Sequence, residues 1–112
     1  MLPKLNRVRK KKDFEVIFTK GKSFKNEFLI LKFIKNNLPE SRFGFVISKK
    51  VSQKAVMRNK VKRRLGEVAR ANIKNIKKGI DIVFIALPGI EKKNFLETKK
   101  QIENTLKKSG LI

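Results

Sequence analysis

The chain is 112 residues long, enough for one core but not two, and carries 30 Lys plus Arg against 9 Asp plus Glu, a formal net charge of +21. It contains no His and no Cys, which excludes disulfide scaffolds, thiolate nucleophiles, imidazole acid–base catalysis and the common zinc sites. A body this basic repels itself unless its working state includes a polyanion, so nucleic acid comes before any small substrate as the expected partner.

Residues 1–12 read as a basic N-terminal arm of a single RNA-binding domain spanning 1–112, since Lys4 to Lys12 shows no apolar periodicity. That arm lacks the apolar stretch of a secretory signal. No run in the chain is long enough to span a bilayer, so a cytoplasmic location without a membrane partner is expected. Asp13 reads as the N-cap of a short helix through Phe14, Val16, Ile17 and Phe18 to Lys20, stopped by Gly21. Phe24 can open a short strand. Phe28 to Ile34 is nearly all apolar and ends in Asn36, Asn37 and Pro39, a strand followed by a turn. Arg42 to Ser48 alternates, with Phe43, Phe45 and Ile47 on one face and the smaller Gly44, Val46 and Ser48 on the other.

From Val56 to about Ile76, Val61, Leu65, Val68, Ala69, Ile73 and Ile76 recur at helical spacing, and Gly79 closes the segment. Ile80 to Leu87 is a continuous apolar run ended by Pro88 and Gly89, as for a strand covered on both faces. Phe95 to Lys108 is helical, with Leu96, Ile102 and Leu106 in register. The order α-β-β-β-α-β-α predicts a single-domain α/β (α+β) sandwich with a helix crossing between the last two main strands.

The informative segment runs Ser48-Lys49-Lys50-Val51, then Ala55-Val56-Met57-Arg58-Asn59-Lys60-Val61-Lys62-Arg63-Arg64-Leu65. Positive charge surrounds the two anchors Val61 and Leu65. A merely solvated helix interleaves Glu at four-residue spacing, and only Glu67 is available here. Basic residues in the first turns also oppose the helix dipole unless phosphates arrive.

This stretch resembles the Arg-Asn-Arg signature of the bacterial ribonuclease P protein subunit, and Leu5-Asn6-Arg7, Asp13-Phe14, Phe18 before Gly21, the Gly44 strand and Asp81 to Ala86 resemble its other motifs in order. The resemblance implies the family's left-handed crossover, where general rules favour a right-handed one. It implies a protein subunit that binds ribonuclease P RNA and the single-stranded 5′ leader of precursor tRNA. Cleavage belongs to the RNA and its bound Mg2+, so no catalytic or metal-ligating residue and no obligate protein partner are expected in the chain.

By the same resemblance Arg58, Asn59, Lys60, Lys62, Arg63 and Arg64 contact the catalytic RNA, while Phe14, Phe18, Leu29, Leu31, Val46, Ser48, Lys49 and Lys50 form the leader cleft. Taken alone, the four-residue spacing of Phe14 and Phe18 favours core; the resemblance moves them towards partial exposure. Lys60 and Gly66 depart from the family pattern, each standing where Arg is usual. A ribosomal or other structural RNA-binding protein is the alternative for such a chain, and a protein-only nuclease lacks the residues it needs.

Overall fold

The computed structural model describes residues 2–112. A 3-10 turn (Lys4–Asn6) leads to α1 (Lys11–Lys20), followed by β1 (Lys22–Lys25), β2 (Leu29–Lys35), β3 (Arg42–Val46), α2 (Ala55–Asn72), β4 (Ile80–Ala86), a second 3-10 turn (Ile90–Lys92) and α3 (Phe95–Lys108). The strands make one sheet in the order β1-β2-β4-β3. β3 and β4 are parallel and joined through α2, and the other two pairs are antiparallel.

Strand alternation sends side chains to two different layers. Leu29, Leu31, Phe43, Ile82 and Phe84 are at most 1% exposed and form the main core with Val61, Leu65 and Val68 of α2 and Ile102 and Leu106 of α3. Each such side chain contributes roughly 1.5–3 kcal/mol on burial. The opposite face carries α1, whose Ile17 packs on Val83 together with Val8. β4 lies between these layers, which is why its sequence is apolar without alternation.

The strands begin or end within two residues of the predicted bounds, β3 stopping at Val46 short of Ser48, and three boundaries differ more. The basic arm is docked: Leu2, Asn6 and Val8 are buried, Asn6 Nδ2 donates to the Ser41 carbonyl at 2.8 Å, and Arg7 pairs with Phe43 as a short extension of the sheet beyond β3. Its scattered apolar residues have no period because each is buried separately. α1 begins at Lys11 with Lys10 as a cap lacking any side-chain bond, so Asp13 lies inside the first turn rather than capping it. α2 ends at Asn72, whose carbonyl accepts from Asn75 and Ile76 N–H, so that Ile76 is buried from a turn.

An ionic cluster ties α1 to the sheet. Arg42 of β3 donates from Nε and Nη2 to the two carboxylate oxygens of buried Asp81 at 2.8 and 2.5 Å, and its Nη1 reaches Asp13 of α1 at 3.4 Å. Hydrogen bonding to Asp81 is the main cause that holds the guanidinium above its ordinary pKa. Asn36 Nδ2 also donates to Asp81 Oδ1, at 2.8 Å.

Candidate nucleic-acid interface

α2 is anchored by Val61, Leu65, Val68 and Ala69, and its first turn contains no acidic residue. Among the described residues, only two of the thirty Lys and Arg form ion pairs: Arg42, with Asp13 and Asp81, and Lys93, with Glu97 at 3.7 Å. The positive charge is therefore not neutralised within the chain.

The six α2 residues assigned to catalytic RNA divide into two groups. Asn59, Lys60, Lys62 and Arg63 are exposed and make no side-chain hydrogen bond or ion pair among the described residues. Arg58 donates from Nη1 to the Ser52 and Gln53 carbonyls at 2.9 and 3.0 Å, holding the loop that enters α2. Arg64 donates from Nη1 to the Lys93 carbonyl at 2.7 Å, fixing the approach to α3. Those two guanidinium groups thus act partly within the protein, a role that a count of basic residues does not reveal.

On the α1 face, strand register places Lys25, Ile30, Ile85 and Val46 in one row across the four strands. The neighbouring row, Ser23, Lys32, Val83 and Gly44, lies towards α1. Phe14 and Phe18 project from one flank of α1 with ring centroids 6.2 Å apart; Phe14 is half-buried against Gly44, and Phe18 is 39% exposed. Lys32 Nζ donates to the Phe18 carbonyl at 3.3 Å, at the C-terminal end of α1 where a cation is favoured, and lies 5.8 Å from the Phe18 ring. Beyond β3, Ser48, Lys49 and Lys50 are exposed on a turn closed by Val51 N–H donating to the Ser48 carbonyl.

The result is an apolar strip of sheet beside α1, the place of the expected leader cleft, with Lys25 at its β1 end and Lys49 and Lys50 on the turn beyond β3. Leu29 and Leu31 are not part of it: both are fully buried on the opposite face, under α2 and α3. Their places are taken by Ile30 and Lys32, one residue along, with Ile85 from β4. The sequence did carry a signal for this parity, because Lys32 is the one charged residue inside the apolar run from Phe28 to Ile34.

A second concavity lies at the outer edge of β3. It is a groove of about 540 Å³ between the docked N-terminal segment and α2, lined by Arg7, Val8, Phe14, Phe45, Asn59 and Arg63 among others. Leu5-Asn6-Arg7 is among the motifs that resemble the family, but its place in this groove depends on pairing with Phe43, which the local sequence does not show.

One α/β sheet, an unneutralised cationic helix face and an apolar cleft with basic ends define a small RNA-binding domain. The model of the ribonuclease P family matches residues 2–110. A ribonuclease P protein component from Clostridium botulinum is 41% identical over 109 residues, covering 96% of this chain and 97% of that protein. One from Syntrophomonas wolfei is 38% identical and covers 100% of this chain and 93% of its own. The RNase P protein of Staphylococcus aureus superposes with a TM-score of 0.88 at 30% identity, covering 95% and 96% of the two chains. That of Thermotoga maritima gives 0.83 at 38%, covering 91% and 96%. The chain belongs to the ribonuclease P protein family, and with that membership goes the role of protein subunit of this tRNA-processing ribonucleoprotein, partnered by ribonuclease P RNA.

Proposed function

We propose that the chain performs no bond cleavage itself and assists the RNA subunit in removing the 5′ leader of precursor tRNA, holding RNA on α2 and leader nucleotides in the α1 cleft. The observation that carries this reading is the exposed, unpaired cationic face of Asn59, Lys60, Lys62 and Arg63, set beside a cleft whose floor is apolar and whose rim is basic. Arg forks and Lys point charges suit phosphates, and Asn can also reach a sugar or base edge.

Phe18, with Ile30, Ile85 and Val46, offers bases an apolar surface without sequence-reading groups, while Lys32 beside Phe18 and Lys49 and Lys50 on the turn beyond β3 supply charge for the backbone. Stacking on such rings is worth about 1–3 kcal/mol per base. Among the described residues no three Asp or Glu gather as metal ligands. The Mg2+ that supports cleavage is assigned to RNA phosphates. No helix among the described residues is long and apolar enough to cross a membrane, and a cytoplasmic site of action goes with the tRNA-processing role.

The decisive experiment is cleavage of precursor tRNA at low magnesium by ribonuclease P RNA with and without this chain. Stimulation that grows with leader length is expected. Equal rates with and without the chain, or cleavage by the chain after all RNA is removed, would overturn the reading.

A further inference from the structure

The groove at the outer edge of β3 is built from two kinds of surface. Its apolar side comprises Val8, Phe14 and Phe45, and Phe45 is braced from within by Phe84, with ring centroids 5.8 Å apart and planes 13° from parallel. Its polar side is one stripe of α2, Asn59, Lys62, Arg63, Gly66 and Glu67, at positions that share a helix face, with Arg7 opposite. A volume of about 540 Å³ lies in the range of small-molecule sites.

Two residues of the stripe are unusual. Gly66 stands in mid-helix at a cost of about 1 kcal/mol relative to Ala, yet nothing lies within 4 Å of where its Cβ would be. Close packing therefore does not explain the glycine; its effect is to keep the groove open. Glu67 is the one acidic residue of α2 and lies four residues after Arg63, but no ion pair joins them among the described residues. A carboxylate left free in a groove with three cations is arranged to accept hydrogen bonds from a ligand that also brings negative charge.

We propose that this groove receives an unpaired guanine of ribonuclease P RNA. The base lies against Phe45, on the α2 side of β3, Glu67 accepts from N1–H and the 2-amino group, and Lys62 and Arg63 hold the flanking phosphates together with Arg7, whose Nε donates to the Leu2 carbonyl at 2.7 Å and whose terminal nitrogens remain for the ligand. Guanine alone among the four bases offers two adjacent donors that match the two oxygens of a carboxylate. Adenine and cytosine offer an amino group without an adjacent ring N–H, and in uracil the single N–H sits between two carbonyls that repel Glu67. This site rests on the RNA partnership of the family and shares with the leader cleft only the wall made by Phe14 on Gly44.

The test begins with the purified full chain titrated with GMP, IMP and UMP while backbone amide shifts are followed. GMP is expected to move the amides of Phe45, Asn59, Arg63 and Glu67. IMP, lacking the 2-amino group, should bind about tenfold more weakly, and UMP should bind more weakly still. Glu67→Gln should abolish the preference for GMP over IMP while leaving the fold unchanged. Gly66→Leu, whose Cβ meets open space and whose side chain then fills the groove, should abolish the response and weaken binding to the RNA subunit. In the complex with that RNA alone, one unpaired guanine should be protected from a reagent for N1 and N2 by the wild-type chain and not by Glu67→Gln. Equal responses to the three nucleotides, shifts elsewhere only, or wild-type RNA affinity in Gly66→Leu overturns the proposal. Protection that appears only after precursor tRNA is added overturns the assignment to the RNA subunit.

Discussion

Phe14 of α1 rests so closely on Gly44 of β3 that a Cβ on Gly44 would lie 2.7 Å from Cε1 and 2.8 Å from Cζ of the ring. The missing side chain lets α1 settle onto the sheet with Asp13 turned to Arg42 on one flank and Phe18 turned to the open row on the other. A ring and a backbone in contact thus set the depth of the cleft at its β3 end.

Gly44→Ala must therefore displace Phe14 or the strand, and overpacking of this kind costs about 1–3 kcal/mol. The midpoint of urea unfolding should fall with the m-value unchanged. Gly66→Ala is the control, because its added methyl meets open space and should stabilise the helix by about 0.5–1 kcal/mol. Equal midpoints for wild type and Gly44→Ala would show that the close approach constrains nothing.

Arg42→Met leaves Asp81, 4% exposed, without its charge partner. Breaking such a pair costs about 3–5 kcal/mol, and the bond that Asn36 retains to Asp81 places the loss towards the lower end. Adding Asp81→Asn to Arg42→Met should recover part of it. The raised guanidinium pKa contributes stability that is present below the unfolded value and lost only as pH rises through the folded one. Both values lie far above neutrality, so the gap between wild type and Arg42→Met should stay level from about pH 6 to 9. A gap that widens steeply within that window would point to a different titrating group.

Salt dependence separates the two groups of basic residues on α2. Lys62→Ala and Arg63→Ala remove exposed charges, so each should flatten the plot of log affinity against log salt by about 0.7–0.9 for every phosphate the side chain had neutralised, with unfolding little changed. Arg64→Ala frees the Lys93 carbonyl and should instead lower stability by about 1–3 kcal/mol. An unaltered slope for both Lys62→Ala and Arg63→Ala would remove that face from the RNA interface.

Element order and the anchored stripe of α2 were legible because hydrophobic period is a local property, and Val61, Leu65 and Val68 repeat it plainly. The docked arm was not, because Leu2, Asn6 and Val8 are held by residues distant in the chain, as in the bond from Asn6 to Ser41. Charge density picked out the basic face of α2 but could not tell Arg63, which is exposed, from Arg64, which holds a backbone carbonyl. The groove at β3 was invisible for the same reason as the arm that walls it.

The cleft-facing side of β2 differs from the sequence expectation by one residue, and in a strand one residue exchanges every side chain between layers. Leu31 packs fully buried opposite Phe84, whereas Lys32 stands opposite Val83 on the α1 side with Nζ 3.3 Å from the Phe18 carbonyl. The two substitutions should therefore behave oppositely. Leu31→Ala opens a cavity in the main core and should cost about 2–5 kcal/mol of stability, with any loss of RNA binding following from unfolding. Lys32→Ala gives up one exposed bond to a helix end, worth at most about 1 kcal/mol, and should leave the chain folded. If Lys32 borders the leader, the same change should weaken precursor tRNA binding more than mature tRNA binding. Equal losses for the two RNAs with Lys32→Ala would confine the residue to holding α1, and a folded Leu31→Ala chain with selective loss of precursor binding would return Leu31 to the cleft.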